Sequence, residues 1–96
     1  MAFLRVDYDR AIALAKDLET AADKCNRSHQ DLMRERSNSE LCWAGESGNA
    51  LRDQAEAAAR ELKSARGQLV TIAASIRHVA EELRRKDEEL ARRMRG

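Results

Sequence analysis

Cys25 and His29 stand four residues apart, one helical turn, and a thiolate beside an imidazole at that spacing is the pair in this chain best suited to hold a metal ion. A structural zinc needs about four ligands. In an antiparallel pair of helices His78 falls level with the start of the first helix, far from His29, so the set stays incomplete. Both residues read instead as members of a helical seam, where a cysteine behaves as a small apolar side chain. No metal and no other cofactor is expected. The chain also shows no Ser/His/Asp order, no glycine-rich phosphate loop and no carboxylate pair in a plausible cleft, so no catalytic residues are assigned and the chain is read as a non-enzyme.

Cys25 and Cys42 are the only cysteines. About 13 helical residues after Cys25 amount to close to ~20 Å of rise. Bridged Cα atoms must lie within about 7 Å, which rules out an intrachain disulfide. Two copies of Cys25, near the middle of the first helix, could instead approach a twofold axis, and a non-reducing gel reads that outcome.

These residues must be placed by long helices. Proline is absent, charged residues make up 36% of the 96-residue chain and aromatics only 3%, a composition that suits alanine-rich helices and excludes a sheet or an enzyme core. The spacing predicts an all-α antiparallel helix-turn-helix hairpin with helices over 8–37 and 49–93, a turn over 38–48, and one domain over 1–96. In the first helix, Tyr8, Ala15, Ala22 and His29 repeat every seven residues, as do Ala11, Leu18, Cys25 and Leu32. Ile12, Leu14, Ala21 and Met33 widen this seam. In the second, Leu51, Ala58, Ala65, Ile72 and Val79 form one row and Ala55, Leu62, Leu69, Ile76, Leu83 and Leu90 the other, with Ala59, Ala73, Ala80 and Met94 as a flanking row.

Asp7 is the expected N-cap of the first helix, Ser37-Asn38-Ser39 its expected end, and Ser47 or Asn49 the cap of the second. The second helix should outlast the first by roughly ten to fifteen residues, or about 15–22 Å. Glu81 with Arg85, Glu82 with Lys86, Glu88 with Arg92 and Glu89 with Arg93 would hold that overhang helical at i,i+4 spacing. A hairpin sealed along one seam leaves its flanking apolar rows exposed, and a second hairpin covering them makes a four-helix-bundle dimer. The residues expected at that interface are Ile12, Leu14, Leu18, Cys25, Leu32, Met33, Leu62, Leu69, Ile72 and Ile76.

Lys plus Arg total 18 against 17 Asp plus Glu, interleaved, so no large field draws in nucleic acid. No apolar run approaches the length needed to span a membrane, roughly 18 residues. Met1-Ala2-Phe3-Leu4-Arg5-Val6-Asp7 lacks the basic and apolar regions of a cleaved leader. Synthesis in the cytoplasm without a cleaved signal, and no stable membrane insertion, are the expectations.

Leu41-Cys42-Trp43-Ala44-Gly45-Glu46-Ser47-Gly48-Asn49-Ala50 places the only tryptophan near mid-chain, between the two heptad helices. With this turn motif of Trp43 and Gly45, essentially the whole chain resembles the WXG family, small Trp-x-Gly proteins of about a hundred residues exported by bacterial type VII (ESX-like) secretion systems. The resemblance implies a hairpin that pairs with itself or with a WXG-like paralogue. It also implies export without a cleaved signal peptide, to the cell surface or beyond, and recognition by the type VII secretion ATPase. The family's export signal joins the Trp-x-Gly turn to a Tyr-x-x-x-Asp/Glu motif after the second helix. No tyrosine stands there in this chain. The best match runs from Leu83 to Asp87 and a weaker one from His78 to Glu82, each setting an apolar or aromatic group one turn from an acid.

Three functions fit this reading: a type VII substrate or carrier with a composite export signal; a helical, chaperone-like targeting partner of a larger secreted toxin; and, from another class, a cytosolic coiled-coil scaffold.

Overall fold

The computed structural model describes residues 2–42 and 45–96, with side chains over 7–38 and from Gly45 onward. Two helices make up the protein, α1 over Ala2–Cys42 and α2 over Gly45–Arg95, packed as an antiparallel helical hairpin. The fold class is all-α. The expected roles of Trp43 and Ala44 lie outside the described residues.

Both helices run longer than the heptad pattern marks. Asp7 and Asn49 lie inside helices rather than capping them, and α1 continues through Ser37-Asn38-Ser39 to Cys42. The reason is that no glycine or proline interrupts α1. Among the described residues the one positive φ belongs to Gly45, at 83°. Gly45, the first glycine of the chain, thus adopts a left-handed backbone conformation that a side chain would oppose. Nothing lies within 4 Å of where a Cβ on Gly45 would sit, so the requirement there is backbone conformation and not space. Glu46 in the first turn of α2 and Arg92, Arg93 and Arg95 in its last complement the helix dipole.

The chain divides into two compact units. Unit 1 comprises residues 1–20 with 69–96, and its buried side chains are Ala15, Ala73 and Ala80. Unit 2 comprises residues 21–68, with Ala22 and Ala59 buried. Every buried apolar side chain described is therefore an alanine.

This corrects the expected assignment of the rows in the second helix. Ala59, Ala73 and Ala80, expected to flank the seam, form its centre. Ile72 and Val79, expected in the seam, are 49% and 56% exposed, and Leu51 is also open to solvent. A methyl side chain lets two backbones approach most closely, so the alanine row takes the line of contact and the larger aliphatics are pushed to its side. Leu62, Leu69 and Ile76 are half-buried between these extremes.

Candidate functional site

In unit 1 the seam rows are framed by polar bonds across the helices. The Tyr8 hydroxyl donates to Glu81 Oε1 at 2.7 Å. Arg84 donates from Nε and Nη2 to the other oxygen of the same carboxylate at 3.1 and 3.0 Å, and from Nη1 to Glu88 at 2.7 Å. Its guanidinium carbon stands 6.0 Å from the Tyr8 ring centre. That separation is the outer limit of a cation–π contact. Further along, Arg77 grips Glu19 with both arms of its fork, Nε to Oε2 at 3.1 Å and Nη2 to Oε1 at 2.7 Å. Two parallel bonds of this kind fix orientation as well as adding attraction.

These bonds shift the titrations as charge-assisted pairs should. The Tyr8 hydrogen bond, then the Arg84 bond, hold Glu81 below the ordinary carboxylate value, and the Arg77 bond does the same for Glu19. Tyr8 is raised, chiefly because its proton is shared with Glu81. Sequence reasoning placed Tyr8 in the seam but missed this cluster. The available signal was that a tyrosine on a packed face needs a partner for its hydroxyl, and an antiparallel register supplies one.

Beside the cluster, a groove of about 410 Å³ opens on one side of unit 1, lined by Tyr8 and Ala11 of α1 and by Ile72, Ile76, Val79, Ala80 and Leu83 of α2, among others. Leu83 is half-exposed and Leu14 stands open to solvent on α1. The side assignment follows from helical spacing. In α1 the half-buried row of Ala11 and Leu18 is flanked by Leu14, and in α2 the half-buried row of Leu69 and Ile76 is flanked by Ile72 and Val79. For antiparallel right-handed helices both flanks fall on the same side of the contact line. Unit 1 therefore has an aliphatic face and, opposite it, a face tied by the Glu19–Arg77 pair.

In unit 2 the interface candidates Cys25, Leu32 and Leu62 are half-buried beside the alanine contact. Met33, seven residues from Asn26 and fourteen from Glu19, lies on the other side, lining a separate hollow of about 270 Å³ with His29, Glu56, Ala59, Arg60 and Lys63. Ile12 shares Met33's row in α1. The structure thus separates Ile12 and Met33 from the row of Leu14. Arg36 pairs with Glu56 at 2.8 Å across this unit.

The export-signal candidates occupy the same stretch of α2 as the Tyr8 cluster. Leu83 borders the groove, and Asp87, one turn on, is half-buried. His78 is exposed, while Glu82 is half-buried and bonded by Arg85. The tail is helical to Arg95. Its ion pairs are mixed in spacing: Glu89 with Arg93 at 3.4 Å as expected, but Glu81 with Arg84 and Glu82 with Arg85 at i,i+3. The early start of α1 at Ala2 shortens the expected overhang. The six residues before Tyr8 reach about 9 Å further along α2.

Among the described residues no group of three or more His, Cys, Asp or Glu side chains is placed to hold a metal ion, and Cys25 is a free thiol. No described helix is long and apolar enough to cross a membrane. A family model described as WXG100, proteins of 100 residues with WXG, matches residues 4–88. The match takes in the turn, the Tyr8 cluster, and both Leu83 and Asp87. No curated protein and no solved structure matches.

Proposed function

Because the chain belongs to the WXG100 family, small helical proteins secreted by type VII systems, we propose that it is a type VII substrate or carrier that acts by binding. Its aliphatic face pairs with a second WXG-type hairpin to complete a four-helix bundle. The turn at Trp43 and Gly45, with the helical address from Leu83 to Asp87, is presented to the secretion ATPase. Export then needs no cleaved signal peptide, and the reading assigns no catalytic step.

The observation that carries this reading is the set of exposed aliphatics Leu14, Ile72, Val79 and Leu83 beside a contact whose buried side chains, among those described, are alanines. Contiguous apolar surface of this kind on a small protein marks a place where another molecule sits. Leu83 ends that set and Asp87 follows it by one turn, so the address lies at the margin of the surface the partner covers. Tyr8, brought against Glu81 from α1, puts an aromatic ring beside the address that α2 itself lacks.

Secretion from cells with a working type VII system tests the proposal. Leu83→Ala and Asp87→Asn are each expected to cut export at least about tenfold while the purified variants stay helical, the size of effect that loss of one anchor contact produces. Retention of the unaltered protein inside such cells, while other substrates leave, would overturn it.

A second reading is favoured by one observation, the absence of tyrosine from the whole of α2. In it the hairpin is a targeting partner whose face binds the helical domain of a larger secreted toxin. Co-expression and gel filtration with a neighbouring toxin distinguish the two.

A further inference from the structure

We propose that the hollow of unit 2 is a binding site for a phosphate-type dianion, held between His29 of α1 and Arg60 and Lys63 of α2. The site lies wholly within residues 21–68 and is independent of the secretion reading and of the apolar groove of unit 1.

The hollow, of about 270 Å³, is bordered by the apolar Ala59 and Met33 and by the polar His29, Arg60 and Lys63. Glu56 also borders it, but its Oε1 is taken by Arg36 at 2.8 Å. That bond sets the charge of the place. Along α2 by itself Glu56 stands four residues before Arg60, the favoured acid-before-base spacing. Packing gives the carboxylate to a cation of α1 instead, and Arg60 is in no ion pair with a described residue.

Lys63 has no acid within reach along its own helix. Its neighbours at three and four residues are Ala59, Arg60, Arg66 and Gly67. Arg60, Lys63 and Arg66 are all exposed, and like charges one turn apart repel, so this run of bases is relieved by an anion lying against it. Glu61 does not serve, because one residue of helix turns it about 100° from Arg60 and two turn it about 200° from Lys63. Beyond Glu61, α2 has no acid before Glu81, which belongs to unit 1. On α1 the residues nearest this flank, Asn26 one heptad before Met33 and Gln30 next to His29, carry no charge.

Charge and donors together select the ligand. A carboxylate brings one negative charge and two oxygens. A phosphate group brings about −1.5 to −2 at neutral pH and three acceptor oxygens, which answers two fixed cations and an imidazole reaching it from both helices. The Arg60 fork suits two phosphate oxygens at once, and the Lys63 ammonium adds a point charge. The hollow is larger than one phosphate group fills. The rest of it, against Met33 at 37% exposure and the buried Ala59, takes what the phosphate is attached to, a second phosphate or a small organic body. Bound in this way, the dianion joins α1 to α2 beside the Arg36–Glu56 pair.

Imidazole NMR of the full-length protein at fixed pH and ionic strength tests the site, with pyrophosphate and inorganic phosphate as probes. The chain has two histidines, His29 in the hollow and His78 exposed in unit 1, so the second is an internal control. Pyrophosphate should shift the His29 resonances saturably, with a Kd on the order of 1 mM for so open a site, and leave His78 in place. Arg60→Gln and Lys63→Gln should each weaken binding roughly five- to tenfold, and the double variant should lose it, while circular dichroism shows all three still helical. Lys16→Gln, which removes the same charge from unit 1, should bind as the unaltered protein does. Cosedimentation with phosphatidylcholine vesicles, with and without phosphatidic acid, separates the sources. Capture by phosphatidic acid alone, lost in the double variant, supports the site and makes its ligand a lipid headgroup. Equal shifts at His29 and His78, binding indifferent to Arg60 and Lys63, or no response to any probe would refute the proposal.

Discussion

Around Ala15, Ala73 and Ala80 the helices are tied by Tyr8 to Glu81 and by Arg77 to Glu19, whereas around Ala22 and Ala59 the cross-helix polar bond described is Arg36 with Glu56. Unit 2 contains the turn and unit 1 contains both chain ends. A short connection holds two helix ends at high effective concentration, so unit 2 needs little besides its alanine contact. Unit 1 has no such link. It must keep its helices together by side-chain bonds, and it is also the unit that carries the open groove. The difference teaches that the unit carrying the open groove is the one whose geometry depends most on specific polar contacts.

The comparison can be broken most forcefully at the alanines. Ala73 is 1% exposed, on the line of contact in unit 1. Ala73→Leu should cost about 1–3 kcal/mol of stability by overpacking. Ala59 borders the hollow of unit 2. Ala59→Leu should fall at or below the low end of that range, because the larger side chain has room to turn. Urea denaturation of the two variants measures the contrast, and equal losses would refute it.

Two exposed glycines give the next largest effects, with opposite signs. Gly45, at φ 83°, occupies the left-handed region. Gly45→Ala should therefore destabilise by about 1–2 kcal/mol. Gly67 is helical with nothing within 4 Å of its Cβ position. Gly67→Ala should stabilise by about 0.5–1 kcal/mol. Thermal melts of the two variants should shift in opposite directions.

The smallest effect concerns pH. Glu81 and Glu19 titrate below the ordinary 4.5, so their contribution to unit 1 is complete above that pH and is lost as the pH falls through their lowered values. Tyr8 is raised above 10.0, so its contribution is complete below pH 10.0 and is lost as the pH rises through the raised value. Tyr8→Phe should lower the melting temperature by less than about 5 °C. It should also flatten the alkaline limb and part of the acid limb. Hydrogen exchange resolved by residue should show protection falling first in unit 1 on acidification; simultaneous loss in both units would remove the distinction.

Helicity, the antiparallel reversal near mid-chain and the family were all legible from the proline-free heptads and the Trp43-Ala44-Gly45 triplet. The ends of the helices were less so. Ser37-Asn38-Ser39 looks like a stop because such side chains compete for backbone bonds, yet that local preference is worth only tenths of a kcal/mol per residue. The helix continues through them to Cys42. The Tyr8 cluster was hidden because Glu81 lies 73 residues away, and only the register of the two helices decides which acid the hydroxyl meets.

Which residues share a face is a property of one helix. The seven-residue period alone therefore put Leu14 with Ala21, and Ile72 with Val79. Which row of that face lies on the contact line is a property of two helices at a definite separation. Packing chose the alanines, because methyl groups allow the closest approach, and so left the larger aliphatics exposed beside the contact.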